Sequence, residues 1–326
     1  MVIYTLENQT INKHSFTLDG IIPANTVWID LINVTEAEEQ KLEKLLQINV
    51  PTPEETRNVS VSNRLYEEDN AIYMSITSFI NQDKNIDELK PEVITFIVTK
   101  GILITSRDTD FNLFGPHFTA YSRKLTSTEN IALNLLLMFL ENIINETAAI
   151  LEQIGHDLDA QNTNILNSTN NQKDPQFSHK NILREITISG NTVSKVRESL
   201  TSFNRMAIFL IQSTFTDKKP KILGHLKNIL SDISALNDHA TFISSKIIFL
   251  LDATLGQINI EQTNIIKIFS LVSVVFLPPL LIASIYGMNF KFIPELDWVI
   301  SYPLILILMV LSSWLPYRYF KRKKWF

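Results

Sequence analysis

The chain has 326 residues, no cysteine and a net charge of −5. That length suits one or two domains, and the missing cysteines exclude disulfides, thiolate metal sites and a cysteine nucleophile. The mild acidity argues against nucleic-acid binding, for which a basic patch or stripe is the expected footprint.

The first ten residues, MVIYTLENQT, lack a basic start followed by an apolar run. No cleaved signal peptide is expected there. Residues 1–120 read as an α/β domain. The β-rich run Thr26–Ile32 is followed by Thr35-Glu36-Ala37-Glu38, a capping-box pattern that opens a helix through Leu46. Residues 64–80 contain two extended runs around the turn Glu67-Glu68-Asp69-Asn70, and residues 93–106 read as two strands joined at Lys100-Gly101. Several strands with a few helices make an α+β domain. The acidic groups Glu67-Glu68-Asp69 and the pair Asp108 and Asp110 read as solvated turns.

From about residue 128 glycine becomes scarce and prolines are widely spaced. Residues 121–220 are read as long antiparallel helices, one over 128–160 and one over 177–216. The Asn-rich stretch 161–176 is the turn between them, with the first helix running a little way into it. A third helix starts just after Pro220 and shows no firm break. Gly256 is its weak point, worth about 1 kcal/mol. If unbroken to Tyr286 it is on the order of 100 Å long, a stalk over 221–265 that carries the cytoplasmic body into a membrane.

Between Lys267 and Lys291 no residue is charged, and none is charged between Asp297 and Arg318. Each run is long enough to cross hydrocarbon roughly 30 Å thick as a helix. The expected spans are 266–289 and 298–317. The loop between them, 290–297, is too short to hold a domain, so the spans form an antiparallel hairpin. The tail 318–326 carries Arg318, Lys321, Arg322, Lys323 and Lys324, whereas the loop carries Lys291 against Glu295 and Asp297. The positive-inside rule then places both termini in the cytoplasm. Trp298, Tyr302, Trp314, Tyr317, Tyr319 and Trp325 mark the two interfaces, and the basic tail anchors the topology and can touch anionic lipid.

One 3/4-spaced stripe on the first span runs through Thr263, Ile266, Ser270, Ser273, Leu277, Leu280, Ser284 and Gly287. Two readings stand for it. Small hydroxylated residues permit close helix–helix packing. They also suit the wall of a water-filled path, with Ile266, Leu277 and Leu280 as apolar constrictions that gate by dewetting. Pro278-Pro279 frees the carbonyls of Val274 and Val275, and a kink is the preferred reading. At the outer end stands Tyr286-Gly287-Met288-Asn289-Phe290. Glycine is favoured just past a helix end, and Asn289 offers an amide to something polar arriving from water. One amide cannot select an ion; a ring from a symmetric oligomer can. Mg²⁺ sheds water reluctantly, so a neutral carbonyl ring suits it by hydrogen bonding to its bound waters.

Catalysis is not expected. His14, His117, His156, His179, His225 and His239 are scattered, and no HExxH, P-loop or dinucleotide signature is present.

Tyr286–Asn289, Pro294-Glu295-Leu296 and the tail Tyr319-Phe320-Lys321-Arg322-Lys323-Lys324-Trp325 resemble the CorA family of magnesium channels. The stretches 258–262, 265–269 and 272–279 resemble its enterobacterial branch, and 83–100 resembles its cytoplasmic sheet. The resemblance implies a funnel-shaped homopentamer in the bacterial inner membrane, with a two-helix transmembrane hairpin, the first span lining the pore, and long stalk helices below an α+β cytoplasmic domain. It implies that Gly287, Met288 and Asn289 form the outer selectivity ring for hydrated Mg²⁺. Co²⁺ and Ni²⁺ also pass, and cytoplasmic Mg²⁺ closes the channel. Mg²⁺ is thus the transported and the regulatory ion, with no other cofactor. By the same resemblance, Leu277 falls at a pore methionine position and Asp252 on an acidic ring at the inner pore entrance. Glu295 belongs to the outer loop. Asp83 falls in an intersubunit regulatory metal site whose partner position is Asn228, with Asp232 and Asp238 nearby. Thr263 replaces the usual inner pore asparagine, unless Asn264 substitutes for it, and Lys291 replaces a common outer-loop glutamate. A zinc or other divalent-cation transporter of the same superfamily is one alternative, and a non-conducting membrane-anchored scaffold is another.

Overall fold

The computed structural model describes residues 1–7, 10–15, 22–51, 55–56, 64–80, 90–110, 130–167, 179–216, 219–289, 294, 298 and 300–323. These fall into two compact units, Met1–Leu251 and Asp252–Phe326.

The first unit is built on a mixed sheet. Its strands are β1 (Val2–Glu7), β2 (Thr10–Ser15), β3 (Thr26–Ile32), β4 (Leu65–Glu68), β5 (Ala71–Ile80), β6 (Lys90–Thr99) and β7 (Ile102–Arg107), in the spatial order β2-β1-β3-β7-β6-β5-β4. Neighbours are antiparallel except β3 and β7, which run parallel with Trp28 opposite Leu103 and Asp30 opposite Thr105. The two predicted turns are tight and left-handed. Asp69 and Asn70 have φ of 48° and 61°, and Lys100 and Gly101 have φ of 47° and 83°, as two-residue hairpins of the primed type require. The β1–β2 hairpin was not predicted. Its residues pair Val2 with Ser15 through to Glu7 with Thr10, and β1 joins the rest of the sheet by pairing with β3.

Strand alternation sends side chains to two cores. One face carries Ile72, Met74, Ile76, Ile94 and Phe96 against two long helices, α2 (Ile131–Asn167) and α3 (His179–Gln212). The other face carries Ile29, Leu31, Tyr73, Ile97 and Ile104 against α1 (Glu36–Leu46), through Leu42 and Leu46. At the start of α1 the Glu38 carboxylate accepts the Thr35 backbone N–H at 3.1 Å. That bond, the largest influence on it, holds the Glu38 carboxyl below its ordinary range. α2 is apolar and long enough to span a membrane, but 61% of its most apolar window is buried inside this unit. It is a core helix, with Leu135, Leu136 and Phe139 fully covered.

Glu67 is exposed, as expected, but it belongs to a strand and not to a turn. It lies on β4, and its carboxylate accepts the Thr214 backbone N–H at 3.2 Å and hydroxyl at 2.8 Å, tying the strand to the end of α3. Asp110 is 81% exposed and reaches Arg107 at 3.6 Å.

The third long helix, α4, runs from Pro220 to Tyr286 as one element of 67 residues, about 100 Å at the α-helical rise. In the first unit Ile222, Leu226, Ile229, Ile233, Ala240, Ile243 and Leu250 bury one side of it. Lys246 reaches across to α2, donating to Asp159 Oδ1 at 2.7 Å. The second unit contains the rest of α4 and α5 (Ser301–Arg322). Both helices are long and apolar enough to cross a membrane, and none of the most apolar window of either is buried.

Candidate ion pathway

The second unit must arrange two apolar helices so that a polar route, if there is one, faces away from lipid. Along α4 the half-buried positions are Leu271, Val275, Pro278, Pro279, Ile282 and Tyr286. Along α5 they are Ser301, Ile305, Met309, Ser312, Ser313, Pro316 and Phe320. Each set recurs every three or four residues and so forms one line on its helix.

The stripe predicted from the sequence lies off that line. Thr263, Ser270, Ser273, Ser284 and Gly287 are exposed, and so are Ile266 at 64%, Leu277 at 62% and Leu280 at 66%. The stripe residues are thus not the ones half-buried within the single chain. Two hydroxyls of the stripe are turned to their own helix. Thr263 Oγ1 donates to the Asn259 carbonyl at 2.8 Å and Ser273 Oγ to the Phe269 carbonyl at 2.9 Å. A hydroxyl that spends its proton this way keeps its lone pairs as acceptors.

Pro278 and Pro279 sit inside α4, which continues through both. They remove the donors that would serve Val274 and Val275. Both prolines fall on the half-buried line of α4.

At the outer end, Gly287 N donates to the Ala283 carbonyl at 2.9 Å and Met288 N to the Ile285 carbonyl at 3.3 Å. The last turn therefore closes on Gly287 and Met288. The sequence reading made Gly287 a glycine favoured just past a helix end. Among the described residues the glycine with positive φ is Gly101, so the requirement at Gly287 is different. A Cβ built there lies 3.0 Å from the Ala283 carbonyl oxygen, and the chain end would have to shift to accept it. Met288, 51% exposed, and Asn289 project past this turn.

At the other end of α5, Arg318 lies 5.0 Å from the Trp314 ring centroid, Lys321 5.9 Å from Tyr317 and Lys323 6.0 Å from Tyr319. Three cations one turn beyond three aromatics place the charge and the amphipathic rings of an interface on one helix end. Sequence reasoning named these residues but not their pairing.

The acidic positions divide. Asp252, Asp232 and Asp238 are exposed on α4. Asp232 and Asp238 are six residues apart, a turn of roughly 240° on a helix, so the two carboxylates do not converge within one chain. No group of three potential metal ligands occurs among the described residues. Asp83, Lys291 and Glu295 lie outside the described residues. One contact that sequence reasoning missed joins His225 of α4 to Glu141 of α2 at 2.5 Å. The hydrogen bond to Glu141 raises the His225 pKa, outweighing the opposing effect of burial.

Comparison with known proteins agrees with this architecture. The model of the family described as CorA-like Mg²⁺ transporter protein matches residues 23–322. The chain is 35% identical over 308 residues to the magnesium transport protein CorA of Escherichia coli strain K12, covering 92% of each chain. It is 34% identical over 325 residues to the magnesium transport protein CorA of Sodalis glossinidius, covering 99% of this chain and 98% of that one. The fold matches the complete structure of the CorA magnesium transporter from Methanocaldococcus jannaschii with a TM-score of 0.78 and 19% identity, over 100% of this chain and 98% of that one. A family match over nearly the whole chain, relatives above 30% identity and two apolar helices that nothing in the fold buries lead to one conclusion: the chain belongs to the CorA-like Mg²⁺ transporter family.

Proposed function

We propose that the chain forms a homopentameric channel in the bacterial inner membrane, with both termini cytoplasmic, that admits hydrated Mg²⁺ and also Co²⁺ and Ni²⁺. The observation that carries this reading is the position of the serine-bearing stripe on α4. It avoids the half-buried line of α4 and is left exposed in the single chain. In a symmetric ring of chains that stripe lines a central path through Thr263, Ile266, Ser270, Ser273, Leu277, Leu280 and Ser284. Asn289, held past the helix end by Gly287 and Met288, supplies a ring of side-chain amides at the outer mouth. The ring binds the water shell of the ion and not the bare ion, because Mg²⁺ keeps several waters. Glu295 is assigned to the outer loop and Asp252 to the inner entrance.

Cytoplasmic Mg²⁺ closes the channel. Asp83, Asp232 and Asp238 are the residues assigned to that inhibitory site, and because the two α4 carboxylates diverge, the site draws its ligands from neighbouring chains. Thr263 makes the inner polar ring a hydroxyl ring.

The test is Mg²⁺ influx into vesicles holding the purified protein. Asn289→Ala abolishes influx if the amide ring selects the ion; unchanged influx sinks the assignment. Asp83→Ala retains influx at low internal Mg²⁺ and loses its inhibition at high internal Mg²⁺. Loss of influx at low internal Mg²⁺ counts against an inhibitory role.

A further inference from the structure

Two polar contacts tie α4 to α2 within the first unit, and they differ in kind. Near the start of α4, His225 Nε2 lies 2.5 Å from Glu141 Oε1. About six turns further on, Lys246 Nζ donates to Asp159 Oδ1 at 2.7 Å and to the Gly155 carbonyl at 3.3 Å. Between them Leu226, Ile229, Ile233, Ala240 and Ile243 are buried. Apolar burial is non-directional, so it presses the helix onto the unit, and the two polar contacts add direction. Lys246 keeps its charge across the physiological range. His225 does not, because imidazole is the side chain whose ordinary pKa falls between pH 5 and 8. Both side chains of the His225–Glu141 pair are 38% exposed, so protons from solvent reach it.

The surroundings leave Glu141 in control of this titration. One turn to either side of Glu141, α2 carries Leu137, Met138, Ile144 and Asn145. One turn to either side of His225, α4 carries Lys221, Ile222, Asn228 and Ile229. On α3, Glu185 accepts from Gln161 of α2, and counting back along α2 and on along α3 from that pair brings the exposed Arg205 level with Glu141. Lys221 and Arg205 are cations and would disfavour a charged imidazole. The influences acting on His225 are the hydrogen bond to Glu141, the largest and upward, then burial, downward, and the Glu141 charge, upward. The contact is therefore strongest below the ordinary histidine value of 6.5 and weakens as pH rises through the folded-state value.

We propose that the His225–Glu141 pair is a pH-sensitive catch on α4, which when protonated holds the helix to α2 at a second point and favours the closed channel, and when deprotonated eases opening. The proposal rests on the reading of α4 as the lining helix. The apolar constrictions Ile266, Leu277 and Leu280 stand on the same unbroken helix as His225, so a gate built from them opens only if α4 moves. A helix tied to α2 at two points resists that movement more than one tied at Lys246.

The full-length protein is reconstituted in vesicles, and Mg²⁺ influx is measured at internal pH of about 6 and about 8.5, between which aspartate and glutamate stay ionised. The internal Mg²⁺ concentration that halves influx is expected to rise about two- to fivefold from the lower pH to the higher, the range open to a half-exposed pair. The step is lost in Glu141→Gln and in His225→Gln and is kept in Lys246→Gln. A step that survives in Glu141→Gln, or that runs the other way, overturns the proposal. Amide hydrogen exchange over residues 222–233 reads the catch without transport. It is expected to be faster in Glu141→Gln than in the parent at the lower pH, with the gap closing at the higher, and equal exchange at both overturns the proposal. If influx is present and inhibited by internal Mg²⁺ but shows no pH step, the catch falls and the channel reading stands. If the parent admits no Mg²⁺ at either pH, the channel reading falls and the proposal with it.

Discussion

Removing the Asp30 carboxylate is expected to destabilise the sheet unit by about 3–5 kcal/mol, the cost of leaving a buried charge without its partner. The Arg107 side chain is 4% exposed and that of Asp30 is 2% exposed. Asp30 accepts from Arg107 Nε at 3.1 Å, from Arg107 Nη2 at 2.7 Å and from the Thr105 hydroxyl at 2.7 Å. Thr105 in turn accepts from Trp28 Nε1 at 3.0 Å. The network joins the one parallel pair of the described sheet, β3 and β7. Asp110 is the other carboxylate near the guanidinium, and at 81% exposure it is too well solvated to replace a buried counter-ion. At roughly 2–4 °C per kcal/mol for a unit of this size, Asp30→Ala lowers the unfolding midpoint by on the order of 10 °C. The assay is thermal unfolding of the full-length protein in detergent, followed by tryptophan fluorescence; Trp28 stacks on Tyr4 at 3.9 Å and reports on the site directly. Asp30→Leu with Arg107→Met removes the stranded charge and recovers most of the loss. A loss under about 1 kcal/mol in Asp30→Ala, or a double variant as damaged as the summed singles, refutes the reasoning.

Three further outcomes can be measured. His225 has its pKa raised by Glu141, so their bond adds stability that is fully present below pH 6.5, the ordinary histidine value, and is lost as pH rises through the folded-state value; the unfolding midpoint falls across that window, and the pH dependence flattens in Glu141→Gln. Gly101→Ala puts a side chain at φ +83° and costs about 1–2 kcal/mol, read as a lower urea midpoint with an unchanged slope. Gly287→Ala pushes a methyl against the Ala283 carbonyl at 3.0 Å, so in vesicles it lowers Mg²⁺ influx while the cytoplasmic unfolding midpoint stays put.

How far the sequence could be read depended on whether a segment's structure was set locally. β3, α1, both predicted turns of the sheet and the unbroken α4 follow from short-range signals: a β-branched run, a Thr-x-x-Glu box, paired residues tolerant of positive φ, and the absence of a breaker after Pro220. The β1–β2 hairpin carries no such signal. Asn12, Lys13 and His14 lie in β2 because β1 offers it an edge, and β1 is placed by its pairing with β3. The role of Glu67 was hidden for the same reason, since Thr214 is 147 residues away. The His225–Glu141 bond spans 84 residues. In the candidate path the stripe was legible because a helix repeats its faces every few residues, but sequence alone left two uses for it. The half-buried line of α4 runs beside the stripe, and the proposed path takes the side left exposed.

The chemistry of that stripe bears on the sign of the charge that can pass. A hydrated cation turns water hydrogens outward, so the wall it meets must accept hydrogen bonds; an anion would need donors. Thr263 and Ser273 give their protons to the carbonyls of Asn259 and Phe269, which leaves oxygen lone pairs for the proposed path. No charged side chain lies between Lys267 and Lys291, so nothing on this stretch binds an ion hard enough to hold it. A wall of neutral acceptors interrupted by Ile266, Leu277 and Leu280 favours an ion that carries its own water and can be stopped by drying a short apolar stretch. In the proposed channel the Asn289 ring has only to recognise the hydration shell, a task that a single exposed amide per chain can perform once several chains share it.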